Sequence, residues 1–365
     1  MAPPRQQVRF VTSGDGVRLA YAVSGTGAPV VIKAATWLSH LDQDRESPVW
    51  SHLLEAMASR STFVRYDERG CGLSDWAVKD LSFESWVNDL DVIANAVGAE
   101  RFAVLGISQG AAVAIAYAVR HPERVSHLVL HGGYARGRLV RSNTPEQREV
   151  ADMMCRLAEL GWGKQDASFR QFFTTQFIPG GTPEQHEWFN EMERLSTSPA
   201  NAARFMREFN NIDVTELLPQ VKCPVLVLHS VHDVRVPFEE GRLLATSIPG
   251  AEFVPIDSRN HLLLESEPGW DHWISEVQQF LPWESRQASV SPFAGLTERQ
   301  AQVLELLAQA RDNAQIAATL GLSEKTVRNQ VSMIFTKLGV ETRTQAVVKA
   351  REAGLGHGDV GIQSK

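Results

Sequence analysis

The period of hydrophobic and polar positions changes several times along the chain, and each change marks an element. From Val8 to Val23 apolar residues alternate with polar ones on either side of Gly14-Asp15-Gly16, the pattern of two half-buried strands joined by a tight turn. Short apolar runs follow at Pro29 to Ile32, Phe63 to Tyr66, Phe102 to Leu105, Ser126 to Leu130, Val225 to Leu228 and Glu252 to Ile256. Helical spacing separates several of them, at 84–97 and 110–120, so an α/β fold with parallel strands and helices on both faces is expected. From Arg136 to Asn210 the period is helical and no strand interrupts it. This stretch, about 136–210, is predicted to be a cap inserted between two strands. It carries Trp162, Phe169, Phe172, Phe173, Phe177, Trp188, Phe189, Phe205 and Phe209, and some of these are expected to line an apolar pocket beneath the cap.

Residues 284–295 are small, polar and contain Pro and Gly, which reads as a linker between a domain at 1–283 and a second at 296–365. The second domain is expected to be all-α, with helices at 298–308, 314–320, 324–338 and 343–353, the first three capped by Thr297, Asn313 and Ser323. The tight Gly321-Leu322 connection makes the middle pair a helix-turn-helix. On the third helix Val327, Val331, Ile334 and Leu338 form one apolar stripe, while Lys325, Arg328, Asn329 and Ser332 occupy the opposite arc with Thr326 and Lys337 at its flanks. These are side chains that reach base edges and phosphates.

Composition narrows the classes. Of 365 residues, 43 % are hydrophobic and 22 % charged, ordinary for a globular protein. The N-terminus has no apolar leader-like run and the longest apolar stretch, 111–119, is about half a membrane span, so a cytoplasmic protein with no membrane partner is expected. Cys71, Cys155 and Cys223 are odd in number and widely spaced, which argues against a disulfide framework or a zinc site. Net charge is −7, but residues 291–365 hold nine Lys and Arg against seven Asp and Glu, leaving the acidic excess to the first domain. The C-terminal domain is the one suited to an anionic partner.

Gly106-Ile107-Ser108-Gln109-Gly110 stands between an apolar strand and an apolar helix, the setting in which a serine is held above a sheet edge by a sharp turn. The C-terminal ends of parallel strands share one rim, so Asp233, after the strand at 225–228, and His261, after the last strand, converge on Ser108. Asp257 is a rival acid, but it sits four residues before His261 on the same loop, where solvation is the simpler expectation. His229 and His232 have no third ligand nearby for a metal, and Gly25-Thr26-Gly27 lacks the third glycine of a dinucleotide fingerprint. No cofactor and no metal are therefore expected.

Together G-I-S-Q-G, D-E-R-G-C-G-L-S-D at 67–75, H-S-V-H-D-V-R-V-P at 229–237 and Asn260-His261 make residues 8–283 resemble an α/β-hydrolase with a helical cap. The resemblance implies Ser108 as nucleophile, His261 as general base and then acid, and Asp233 as the group fixing the imidazole tautomer. It also implies an oxyanion hole made by the N–H of Gln109 and a second N–H from Thr36 or Trp37, where many members carry His-Gly. Residues 296–355 resemble the LuxR-type DNA-binding domain through G-L-T-E-R-Q-A-Q-V-L, N-A-Q-I-A-A-T-L-G-L-S-E-K-T-V-R-N-Q-V and K-L-G-V-E-T-R-T-Q-A-V. That implies a homodimer joined through 343–353 on an inverted repeat of double-stranded operator DNA, with Arg328, Asn329 and Ser332 reading bases and Thr326 and Lys337 holding phosphates. Gln300 and Gln315 stand where glutamate is usual, and Gln330 where histidine is frequent. Two functions fit this pairing: a transcription regulator sensing a small apolar ester- or lactone-like molecule, or a serine esterase or lactonase with a DNA-binding tail.

Overall fold

A computed structural model describes residues 6–36, 38–142, 144–164, 167–283, 296–352 and 355–356. The chain divides into two compact units, 1–284 and 285–365. The linker expected at 284–295 lies outside the described residues.

The first unit is built on eight strands: β1 (Gln7–Thr12), β2 (Arg18–Ser24), β3 (Val30–Lys33), β4 (Thr62–Tyr66), β5 (Phe102–Ile107), β6 (Val125–His131), β7 (Val225–Ser230) and β8 (Glu252–Ile256). Their order across the sheet is β1-β2-β4-β3-β5-β6-β7-β8. β2 is antiparallel to both its neighbours and every other pairing is parallel. All six residues of β5 are buried, because helices cover both faces of the sheet at its centre. Those helices include α1 (Leu41–Arg45), α2 (Ser51–Ala58), α3 (Phe83–Ala96) and α4 (Gln109–Arg120). α4 buries every residue from Gln109 to Ala118; its alanine-rich face lets helix and sheet backbones approach closely, as a turn directly out of β5 requires.

Between β6 and β7 the chain forms the four cap helices α5 (Pro145–Gly161), α6 (Ala167–Phe177), α7 (Pro183–Ser196) and α8 (Pro199–Asn211). α5 and α7 begin with full capping boxes, Thr144 with Gln147 and Thr182 with Gln185, each with proline in the first turn. α9 (Phe238–Ser247) and α10 (Pro268–Phe280) complete the unit. Most of the cap aromatics are packing residues: Trp162, Phe173 and Phe205 are buried in the core, and Phe172 is exposed. No helix among the described residues is long and apolar enough to cross a membrane.

The second unit consists of α11 (Glu298–Ala308), α12 (Asn313–Leu320), α13 (Glu324–Leu338) and α14 (Arg343–Glu352) around a separate core of Val303, Leu304, Leu307, Ile316, Val327, Val331, Ile334, Leu338, Ala346 and Ala350. Thr297 and Ser323 cap α11 and α13 as expected from the sequence, but α12 is capped by Asp312, one residue before the expected Asn313. The reason is the partner at the third helical position. Gln315 reaches back to the Asp312 N–H at 3.0 Å while the Asp312 carboxylate accepts from the Gln315 N–H at 2.8 Å. Gln300 plays the same part for Thr297.

Candidate active site and nucleic-acid interface

Ser108 stands between β5 and α4 with φ 53° and ψ −123°, a backbone conformation that costs a non-glycine residue about 1–3 kcal/mol. Its neighbours make the turn feasible. A Cβ on Gly106 would come within 2.7 Å of Ala111 Cα and 2.8 Å of the Gly110 carbonyl oxygen, so only glycine lets strand and helix meet here. The Ser108 N–H donates to the His131 carbonyl at 2.9 Å, tying the turn to the adjacent strand.

The three residues expected to converge are brought to one rim. His261 Nδ1 donates to Asp233 Oδ2 at 2.6 Å, with both side chains fully buried. Asp233 Oδ1 accepts two backbone N–H bonds, from Arg235 at 2.7 Å and Val236 at 3.0 Å. Burial opposes ionisation of Asp233, but the imidazole and these donors outweigh it and hold the carboxyl below its usual range. With Nδ1 committed as donor, His261 Nε2 presents its lone pair, and it has no hydrogen-bond partner among the described residues. Ser108 and His261 line one cavity. The loop holding His261 is itself braced. His131 Nε2 donates to the His261 carbonyl at 3.1 Å, and Ser230 Oγ donates to the Asn260 carbonyl at 2.7 Å. Asp257, the rival acid, is exposed. His229 turns its Nε2 to the Val236 carbonyl at 3.0 Å.

Gln109 opens α4, and its side-chain Nε2 donates to the buried Glu68 Oε1 at 2.8 Å. Burial pushes the Glu68 carboxyl well above its ordinary value, which favours a neutral anchor for Gln109. Thr36 lines the cavity beside Ser108, while Trp37 lies outside the described residues.

Two lobes meet at Ser108. One is lined by Leu38, Trp50, Phe177, Phe189 and Leu262 and has the apolar character expected from the sequence. The other does not. It is walled by Tyr134, Arg138, Arg141, Phe209, Asn210, Arg235 and Val236. It adjoins a wider outer cleft, where Arg138, Arg141 and Arg235 recur with Glu146 and Gln147. The expectation of an apolar pocket is therefore corrected on this side. Arg138 and Arg141 come from the entry to the cap and Arg235 from the loop after β7, so no local pattern announced the cluster.

The cap is bonded directly to the His261 loop. The Phe177 carbonyl, at the end of α6, accepts from the His261 and Leu262 N–H groups at 2.8 and 3.1 Å. The Gly180 N–H donates to Asn260 Oδ1 at 2.8 Å.

In the second unit the apolar stripe of α13 faces the core and Lys325, Arg328, Asn329 and Ser332 lie exposed on the opposite side. Thr326 is partly buried in the N-terminal cap, its hydroxyl 2.8 Å from that of Ser323. Lys337 has an exposed side chain but donates to Gln300 Oε1 at 2.7 Å, so it is anchored to α11.

The family model of the alpha/beta hydrolase fold matches residues 39–268. The chain belongs to that family. The model of bacterial regulatory proteins of the luxR family matches residues 294–350, so the second unit is a LuxR-type helix-turn-helix domain, the DNA-binding module of transcription regulators. The hydrolase unit is similar to the pyrrolizixenacetamide deacetylase of Xenorhabdus hominickii, with 27 % identity over 275 residues, 74 % of this chain and 97 % of that protein. The LuxR-type unit is 49 % identical over 61 residues to the DNA-binding transcriptional activator DevR/DosR of Mycobacterium tuberculosis, covering 17 % of this chain and 28 % of the activator. Among solved structures, a hydrolase from Pseudomonas aeruginosa PA01 superposes with a TM-score of 0.62 at 23 % identity, covering 75 % of this chain and 98 % of that one. The enol-lactonase of Burkholderia xenovorans LB400 gives a TM-score of 0.60 at 20 % identity over 74 % and 99 %. At these identities the two structures attest the fold.

Proposed function

We propose that this protein is a ligand-responsive transcription regulator whose hydrolase unit receives a small ester- or lactone-like molecule over Ser108 and alters the DNA affinity of the LuxR-type unit. The observation that carries the reading is the union in one chain of a capped cavity, with Ser108 and His261 in its wall, and a helix-turn-helix whose polar arc lies opposite its own apolar core. A DNA-reading module gives a metabolic esterase nothing, whereas a sensor needs both parts. Arg328, Asn329 and Ser332 read bases, Lys325, Thr326 and Lys337 contact phosphates, and two copies joined through α14 occupy an inverted repeat. Ser108 is the nucleophile, His261 the base and Asp233 its orienting acid; Gln109 N–H, with Thr36 or Trp37, receives the oxyanion. Coupling requires that the ligand bind the DNA-competent and incompetent states with different affinity. The cap, bonded to the His261 loop through Phe177, is the element placed to differ between them.

A second reading, an active serine hydrolase with a DNA-binding tail, is favoured by the 2.6 Å His261–Asp233 bond and the open Nε2. Titration of promoter fragments with wild type and Ser108→Ala, each with and without candidate esters, separates the two. An ester-dependent shift in DNA affinity supports the sensor. Failure to bind any promoter fragment under every condition ends it.

A further inference from the structure

The lobe between Ser108 and the cap entry contains charge that no step of acyl transfer uses. Arg235 follows Asp233 by two residues and is 9 % exposed. Its guanidinium lies 5.1 Å from the Phe177 ring centre and 5.6 Å from that of Phe209, and Nη1 donates to Gln176 Oε1 at 3.1 Å. Arg141 Nη1 donates to the Arg136 carbonyl at 2.9 Å. Among the described residues, no carboxylate forms an ion pair with Arg138, Arg141 or Arg235, although all three line the lobe. The adjacent Arg136 provides the contrast, since Glu240 pairs with it at 2.6 Å and offers Arg141 only a longer-range attraction. Asp233 is committed to His261 and two backbone donors, and Glu146 stands in the outer cleft.

Burial, with Arg138 next, pushes the Arg235 guanidinium down to about 10, and burial lowers Arg138 and Arg141 as well. A guanidinium is basic enough to stay charged at neutral pH despite such burial. Like charges gathered around one partly desolvated lobe repel one another unless an anion joins them, and arginine forks match planar anions in two-point geometry.

We propose that this lobe receives an anionic group of the ligand: the molecule is a half-ester or related acyl compound whose carboxylate or phosphate end is held by Arg138, Arg141 and Arg235. Its acyl carbonyl then lies over Ser108 and its apolar remainder occupies the lobe of Phe177 and Phe189. The assignment rests on the small-molecule reading of the cavity and names the ligand's class.

Full-length Ser108→Ala, which prevents turnover, is titrated calorimetrically without DNA against monomethyl adipate, the phosphate ester of methyl 6-hydroxyhexanoate, and neutral dimethyl adipate. At least one anion is expected to bind about tenfold or more tightly than the diester, and the stronger of the two identifies the head group. Adding Arg138→Gln and Arg141→Gln, at partly exposed positions, is expected to abolish that preference while leaving the tryptophan-fluorescence unfolding midpoint unchanged. Equal or tighter binding of dimethyl adipate, no binding of any of the three, or a preference that survives both substitutions overturns the proposal. Because no DNA is present, these outcomes are independent of whether the regulator reading holds.

Discussion

The two units place their charge in opposite ways. The hydrolase unit takes charge inside: Arg69 bridges Asp89 at 2.6 Å and Asp15 at 2.7 Å, Arg65 pairs with Asp44 at 3.0 Å, and Glu68 and Lys33 are buried beside them. In the LuxR-type unit the one buried polar side chain among the described residues is Gln300. Internal ion pairs accept a desolvation cost in exchange for a fixed shape, which suits a cavity whose walls must hold position. A core with a single buried amide and its charges outside suits a module that meets a polyanion, because cations such as Lys325 and Arg328 stay hydrated at the surface. The same chain thus buries charge in its hydrolase unit and exposes it in its LuxR-type unit.

The sharpest way to test that division is to disable one unit and watch the other. With 4-nitrophenyl acetate as probe, Ser108→Ala is expected to lower acyl transfer about 10³-fold or more while DNA affinity without ligand stays unchanged. Absence of wild-type turnover above background would remove the hydrolase reading. Gly106→Ala drives a methyl into the main chain of α4 and should cost the hydrolase unit about 2–4 kcal/mol. All nine tryptophans precede residue 284, so their fluorescence reports that unit alone.

Acidification is the next contrast. Burial lowers His131 from 6.5 to about 3 and His52 from 6.5 to about 4. Both are neutral in the folded unit, whereas the unfolded chain takes up their protons below 6.5. Their contribution is therefore complete above pH 6.5 and is lost as pH falls through the folded values, at about 2–3 kcal/mol per pH unit for the pair. Residues 296–356 contain no histidine, so this contribution belongs to the hydrolase unit, where the burial-raised carboxyls of Asp44 and Asp89 act in the opposite direction over the same range. Comparing wild type with His52→Gln isolates it: the fluorescence-monitored stability difference between the two should shrink from pH 7 to about 4, and a difference that stays constant over that range would contradict the burial of the ring. On the other side of the comparison, Arg328→Ala should weaken operator binding by about 1–3 kcal/mol and relax base preference, and Lys325→Ala should reduce the salt slope by about 1. Equal losses on every sequence for both variants would reassign Arg328 to the phosphates. The smallest effect is Thr297→Ala, which removes the α11 cap and should cost the LuxR-type unit about 1 kcal/mol with no change in tryptophan signal.

The contrast also explains what was readable beforehand. The positions of Ser108, Asp233 and His261 follow from strand ends, which short apolar runs reveal, and the exposed arc of α13 follows from a single helical period. Asp312 and Asn313 are both good caps, and only Gln315 three residues after Asp312 decides between them. The arginine lobe was not readable, because its members lie almost a hundred residues apart and meet only when the cap folds over β7. The cap aromatics misled for the opposite reason: helical spacing shows that a ring is buried, not whether it faces a cavity or a neighbouring helix.

The Phe177 carbonyl holds the backbone of His261 from the cap side. Lifting the cap at that end would break the two hydrogen bonds that the Phe177 carbonyl accepts from His261 and Leu262, so under the proposed function cap and imidazole are linked as an interlock.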